Sequence, residues 1–138
     1  MKSYANIIRI TLIILNIFLA LTALAGCIQL LEGTYAPSLE MLNGSIFRDY
    51  TIPGLSLGLI VGGSALFTVI LLVRRNKFAD LASIAAGMII MFFEFVEVQI
   101  IGSPAGIARN LQIFYFGLGT LIAFATLLKM FLEKRSER

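Results

Sequence analysis

Residues 10–31 read ITLIILNIFLALTALAGCIQLL, and the interpretation of this stretch decides whether the chain has three membrane helices or four. Two readings compete. Lys2 and Arg9, then an apolar run, then Leu24-Ala25-Gly26-Cys27, have the form of a bacterial lipoprotein signal. On that reading the residues before Cys27 are removed and Cys27 carries lipid. On the other reading the same residues are a permanent transmembrane helix. A mature lipoprotein continues after its cysteine with a polar tether, whereas this chain continues IQLLEG and stays apolar. The run is long for a signal-peptide core and matches the roughly 20 residues that cross a ~30 Å hydrocarbon layer. We therefore read it as a retained first helix, with Cys27 a small packing residue near its outer end.

The rest of the chain supports that choice. Hydrophobic residues make up 59% of the 138 and charged residues only 14%, where a soluble domain carries about a quarter charged. Three further apolar runs, 52–73, 78–101 and 106–128, each exceed the length of a span. Backbone groups in lipid must bond within their own segment, so these runs are helices. The expected fold is all-α: one four-helix transmembrane bundle over residues 1–138, with helices at about 10–31, 52–73, 78–101 and 106–128 and an outer loop at 32–51.

Charge sets the expected orientation. Lys2, Arg9, Arg74, Arg75, Lys77, Lys129, Lys134, Arg135 and Arg138 flank one side of these helices, and only Arg48 and Arg109 lie on the other. The positive-inside rule then places both termini in the cytoplasm. The net charge of +3 follows from this topology and is no nucleic-acid signal. With no His and one Cys, zinc sites, histidine acid–base chemistry and an internal disulfide are excluded. No metal, cofactor or catalytic constellation is indicated, and an enzyme is the less favoured class.

Gly54, Gly58 and Gly62 recur every fourth residue in the second helix, a stripe that lets membrane helices approach closely. It serves packing inside the bundle or, alternatively, a homodimer or partner face. Ala82, Ser83, Ala86 and Gly87 form a similar set on the third helix, and Gly119 and Ala123 on the fourth. Asn16 sits mid-membrane as expected interhelical glue.

The third helix ends MFFEFVEVQIIG and the fourth begins SPAGIARNLQIFYF. Ser103 and Pro104 suit the cap and first turn, so the two form a tight hairpin. Glu94 and Glu97 share one helix face, as do Arg109 and Gln112. Counted from the turn, Glu97 and Arg109 both lie roughly 8 Å deep, and Glu94 and Gln112 about 12–14 Å. Two polar rungs are expected, Glu97 with Arg109 and Glu94 with Gln112. A membrane charge costs about 3 kcal/mol at mid-depth, so the carboxylate that Arg109 does not neutralise needs Arg48, a proton or a bound cation. Gln29, Glu32 and Tyr115 are further candidates for the same cluster.

The stretch YTIPGLSLGLIVGGSALFTVILLVRRNKFADLASIAAGMIIMFFEFVEVQIIG and the later LQIFYFGLG resemble small bacterial four-span membrane proteins, some loosely grouped as DoxX-like. The resemblance covers about the last 90 residues and implies a multi-pass protein of the bacterial inner membrane, with a quinone-linked association attached to the DoxX-like name. Small multidrug transporters also have four helices and a membrane carboxylate, but typically on helix 1 and with weak charge bias, and this chain departs from them on both points. Three functions follow as expectations. The first is a non-enzymatic membrane protein whose outward-facing site, Glu94, Glu97, Arg109 and Gln112, binds a small molecule or partner. The second is a proton-coupled transporter using Glu94. The third is an accessory subunit of a respiratory or envelope complex.

Overall fold

The computed structural model of the chain describes residues 2–33 and 36–137. Arg138, one of the nine basic residues, and Thr34 and Tyr35 of the loop lie outside the described residues. Four long apolar helices are present: α1 (Lys2–Glu32), α2 (Thr51–Val73), α3 (Ala79–Ile101) and α4 (Ile107–Ser136). The protein is a multi-pass membrane protein, and the fold expected from the apolar runs is the fold observed.

Two helices run further than their apolar cores. α1 begins at Lys2 and not near Ile10, and α4 continues to Ser136 and not to Leu128. Once a helix is nucleated, each added residue gains a hydrogen bond whatever its polarity. The stretch Lys129–Arg135 is also rich in good helix formers. Polarity marks where a helix leaves the lipid, not where it ends.

α2 starts at an Asx turn, in which Asp49 Oδ1 accepts the Thr51 amide at 3.0 Å. The Thr51 amide and hydroxyl hold the Asp49 carboxyl below the usual carboxylate range. Pro53, in the first turn, needs no intrahelical donor. Within α2, Leu57–Gly62 is wound as a π-helix, a wide turn that recurs at functional sites. The connecting loop carries a short 3-10 helix, Leu39–Leu42, capped by Ser38 Oγ accepting from Glu40 N–H.

The helices form an antiparallel ring in which α1 and α3 each pack against both α2 and α4. Leu12, Leu19, Val61, Leu72, Ile90 and Ile122 are fully or almost fully buried along its axis. The outer surface is apolar as well: Leu59, Phe92 and Phe124 are about 70% exposed, which suits lipid and not water.

Small residues set the close approaches. A Cβ on Gly87 would lie 2.7 Å from the Gly119 carbonyl oxygen, and one on Gly119 would lie 2.5 Å from that of Gly87, so α3 and α4 touch backbone to backbone. Gly54, Gly58 and Gly62 face α1, where added Cβ atoms would meet Leu30, Cys27 and Ala23 respectively. α1 runs unbroken through the LAGC segment, and Cys27 is buried against Gly58.

The two ends of the bundle differ. At the end that carries both termini, polar bonds tie the ring together. Thr68 Oγ1 on α2 lies 3.0 Å from the Ala82 carbonyl on α3, and the hydroxyls of Thr126 on α4 and Ser83 on α3 are hydrogen-bonded at 2.9 Å. Arg9 on α1 donates to the Leu72 carbonyl of α2 at 2.9 Å. Lys129 on α4 forms an ion pair with Asp80 on α3 at 2.8 Å. At the loop end α2 leans onto α1, and its first turns make no close approach to α3. A gap opens between α2 and α3, and the 3-10 helix of the loop packs against α3 beside it.

Candidate functional site

The gap is a cleft of about 580 Å³, within the range of small-molecule sites, roughly 300–1,000 Å³. α2 supplies Pro53, Ser56, Ile60 and Val61 to it, and α3 supplies the face from Met88 to Ile101. The loop closes it with Leu42, Phe47 and Tyr50. The π-helical stretch adds one residue to a turn of α2, which aims Ser56, Ile60 and Val61 at the cleft while Gly58 and Gly62 still face α1. Ile60, Met88 and Phe92 line the cleft and are also 56%, 59% and 69% exposed on the outside of the bundle. The cleft therefore opens sideways, toward lipid.

Its polar groups are few. Glu97 is half-buried and is the only ionisable carboxyl on the lining. Tyr50 is buried and donates its hydroxyl to the Ser38 carbonyl at 3.1 Å, pinning the loop over the cleft. Burial and, second, the nearby Glu97 charge push the Tyr50 hydroxyl above its ordinary pKa. Tyr50 therefore stays a neutral donor well beyond physiological pH. Behind Glu97, one helical turn deeper on the same face of α3, Glu94 is 6% exposed. A hydrogen bond between these two carboxyls would need a proton on one of them, because two carboxylates have no donor.

The two polar rungs are not formed. Among the described residues, Lys129 with Asp80 and with Glu133 are the only ion pairs. Arg109 is exposed and folds back onto its own turn, donating to the Ser103 carbonyl at 2.7 and 3.1 Å. The reason is the start of α4. Gly106, at φ 110°, breaks the chain from Pro104, so the helix begins at Ile107 and not after Ser103. Arg109 is then the third residue of the helix, at its mouth, and cannot reach down to Glu97. Gln112 is buried, but its amide donates to the Gly102 carbonyl at 3.0 Å and its Oε1 has no partner. No hydrogen bond joins it to Glu94. Gln29, Glu32 and Arg48 are exposed and make no bond to the pair, and Tyr115 is half-buried with its ring edge-on to Phe114 at 5.1 Å. Asn16 is buried but donates within α1, to the Leu12 carbonyl at 2.9 Å, and not to another helix.

Of the four expected site residues, then, Glu94 and Glu97 lie one turn apart on one face of α3, while Gln112 and Arg109 bond to carbonyls of the α3–α4 turn. Sequence reasoning missed the cleft itself, its aromatic wall and the role of Tyr50. It also took Lys129 for a flanking cation, although it is buried in an ion pair. The spacing of Asp80 and Lys129 from the hairpin turn carried a signal for that pair. Comparison with protein-family models, curated proteins and solved structures finds no match for the chain, so function is read from the site.

Proposed function

We propose that this membrane protein binds a small lipid-soluble molecule in the cleft between α2 and α3, with Glu97 as its polar anchor. The observation that carries the reading is a single carboxyl in an otherwise apolar cleft that opens to the lipid-facing surface. Ligand sites have this make-up, an apolar lining with one or two placed polar groups. An ionisable group kept within a membrane helix despite its cost marks function by default. No catalytic step is assigned to it.

The chain has no Trp, which makes a clean test available. Phe92→Trp places a reporter in the cleft, and Phe124→Trp a control on the lipid face of α4. In lipid nanodiscs, decanol is expected to shift the emission of the first saturably and of the second only by partitioning. Equal, unsaturable shifts at both positions would count against the site.

The nine-to-two distribution of Lys and Arg and the resemblance to small bacterial four-span proteins support an orientation in a bacterial inner membrane with both termini cytoplasmic. The cleft then serves the outer leaflet. In a Cys27→Ala background on intact cells, Asn43→Cys is expected to react with an impermeant maleimide and Arg75→Cys to stay protected. The reverse pattern would overturn the orientation.

A second reading, proton-coupled transport, is favoured by one observation. Glu94 is buried one turn behind Glu97 on the same face of α3, which gives a proton from the cleft a second carboxyl to occupy out of contact with lipid.

A further inference from the structure

Resting on the cleft as a binding site, we propose that its ligand is a lipid-soluble organic cation, with a quaternary or alkylated ammonium head held by Glu97 and the aromatic side chains of the lining and an apolar body lying between α2 and α3.

The wall of the cleft carries the argument. Phe47 and Tyr50 from the loop and Phe92 and Phe93 from α3 line it together with Glu97. Aromatic faces carry a negative quadrupole and attract a cation lying over them, and clustered rings are the usual means of recognising alkylated ammonium groups. Here these rings share the lining with a single carboxyl, and no basic side chain lines the cleft. Arg109 is turned onto the Ser103 carbonyl, and Arg48 is exposed on the loop.

Other ligand classes fit less well. An anionic head would meet Glu97 with nothing to neutralise either charge, a like-charge contact in a low dielectric. An inorganic cation such as calcium or magnesium needs about six oxygen ligands. The lining offers Glu97, Ser56 and a Tyr50 hydroxyl already committed to Ser38, and no cluster of three metal-ligating side chains exists among the described residues. A neutral lipid-soluble molecule would fill the cleft but leave Glu97 without a counter-charge.

The approach is lateral. Ile60, Met88 and Phe92 belong both to the cleft and to the outer surface. An amphipathic cation already dissolved in the leaflet enters tail-parallel to the helices, with its head at the depth of Glu97, one and a half turns of α3 from Gly102.

The test uses three probes with one tail, decyltrimethylammonium, decanol and decanoate, titrated into nanodiscs that carry the Phe92→Trp protein. The cation is expected to bind about tenfold more tightly than the alcohol, the magnitude of one bond to a charged group, and decanoate more weakly than either. Glu97→Gln in the same background is expected to abolish the preference for the cation, and a thermal melt followed by circular dichroism that matches that of the Phe92→Trp protein shows that the variant is folded. Equal affinity for all three heads, or a preference that survives Glu97→Gln, overturns the head-group assignment and leaves the cleft as a site for neutral lipophiles. Absence of a saturable signal from every probe removes the cleft as a binding site, and this proposal with it.

Discussion

Glu94 is the most deeply buried carboxyl among the described residues, and another carboxyl, Glu97, lies one turn away on the same face of α3. Ionising both would leave two like charges one turn apart, the inner one away from water. Glutamine at this position keeps the shape and a donor toward Glu97 but holds no titratable proton. Glu94→Gln should therefore fold and melt in detergent much as the natural protein does, within about 1 kcal/mol. In pyranine-loaded vesicles, uptake of ethidium by the natural protein in exchange for protons should raise the internal pH, and Glu94→Gln should abolish that rise. Unaltered alkalinisation in the variant would end the transport reading. Glu94 and Glu97 were legible in the sequence because two acids three residues apart on a membrane helix demand an explanation. Arg109 was misplaced because its depth was counted from Ser103, and the count depends on where α4 begins. A glycine with positive φ three residues later moved that origin.

At the scale of elements, α2 meets a stringent packing demand against α1. Gly58 lies so close to α1 that an added Cβ would stand 2.7 Å from Cys27 Sγ and 2.8 Å from Cys27 Cβ. Gly58→Ala should lower stability by about 1–3 kcal/mol through overpacking, measured by unfolding in detergent. Cys27→Gly in the same chain removes both clashing atoms, although glycine within a helix itself costs about 1 kcal/mol. The double variant should be no less stable than Gly58→Ala alone. Simple additivity of the two losses would show that this contact does not limit the approach. The glycine spacing was readable from the sequence, but not which helix it would meet. The π-helical turn at Leu57–Gly62 was not readable either, since nothing in the composition separates it from an ordinary apolar turn.

Across the whole molecule, the bundle is bound by polar contacts at one end and splayed at the other. Lys129 is 6% exposed, 2.8 Å from Asp80 and 2.7 Å from Glu133, and it joins the last turns of α4 to the first turn of α3. Lys129→Met leaves Asp80 facing the bundle without its counter-charge and should cost about 3 kcal/mol. Pairing it with Asp80→Asn should recover most of the loss, as read from resistance to unfolding by added sodium dodecyl sulfate. A double variant as unstable as the single one would show that the end is held by packing and not by the pair. A firmly closed base leaves the loop end open for α2 and α3 to diverge without dissolving the ring.

The sequence by itself determined that this is a four-helix membrane protein, because span length and apolar content are local properties and lipid permits no other structure for such runs. It also determined that two carboxyls would lie on one face of α3. The tertiary structure decided what those carboxyls meet. Their surroundings depend on the start of α4 after Gly106, on the tilt of α2 onto α1 that the glycines allow, and on the docking of Tyr50 over the gap. The first is a backbone angle that the apolar pattern does not carry, and the other two arise only when packed elements settle the distance between them.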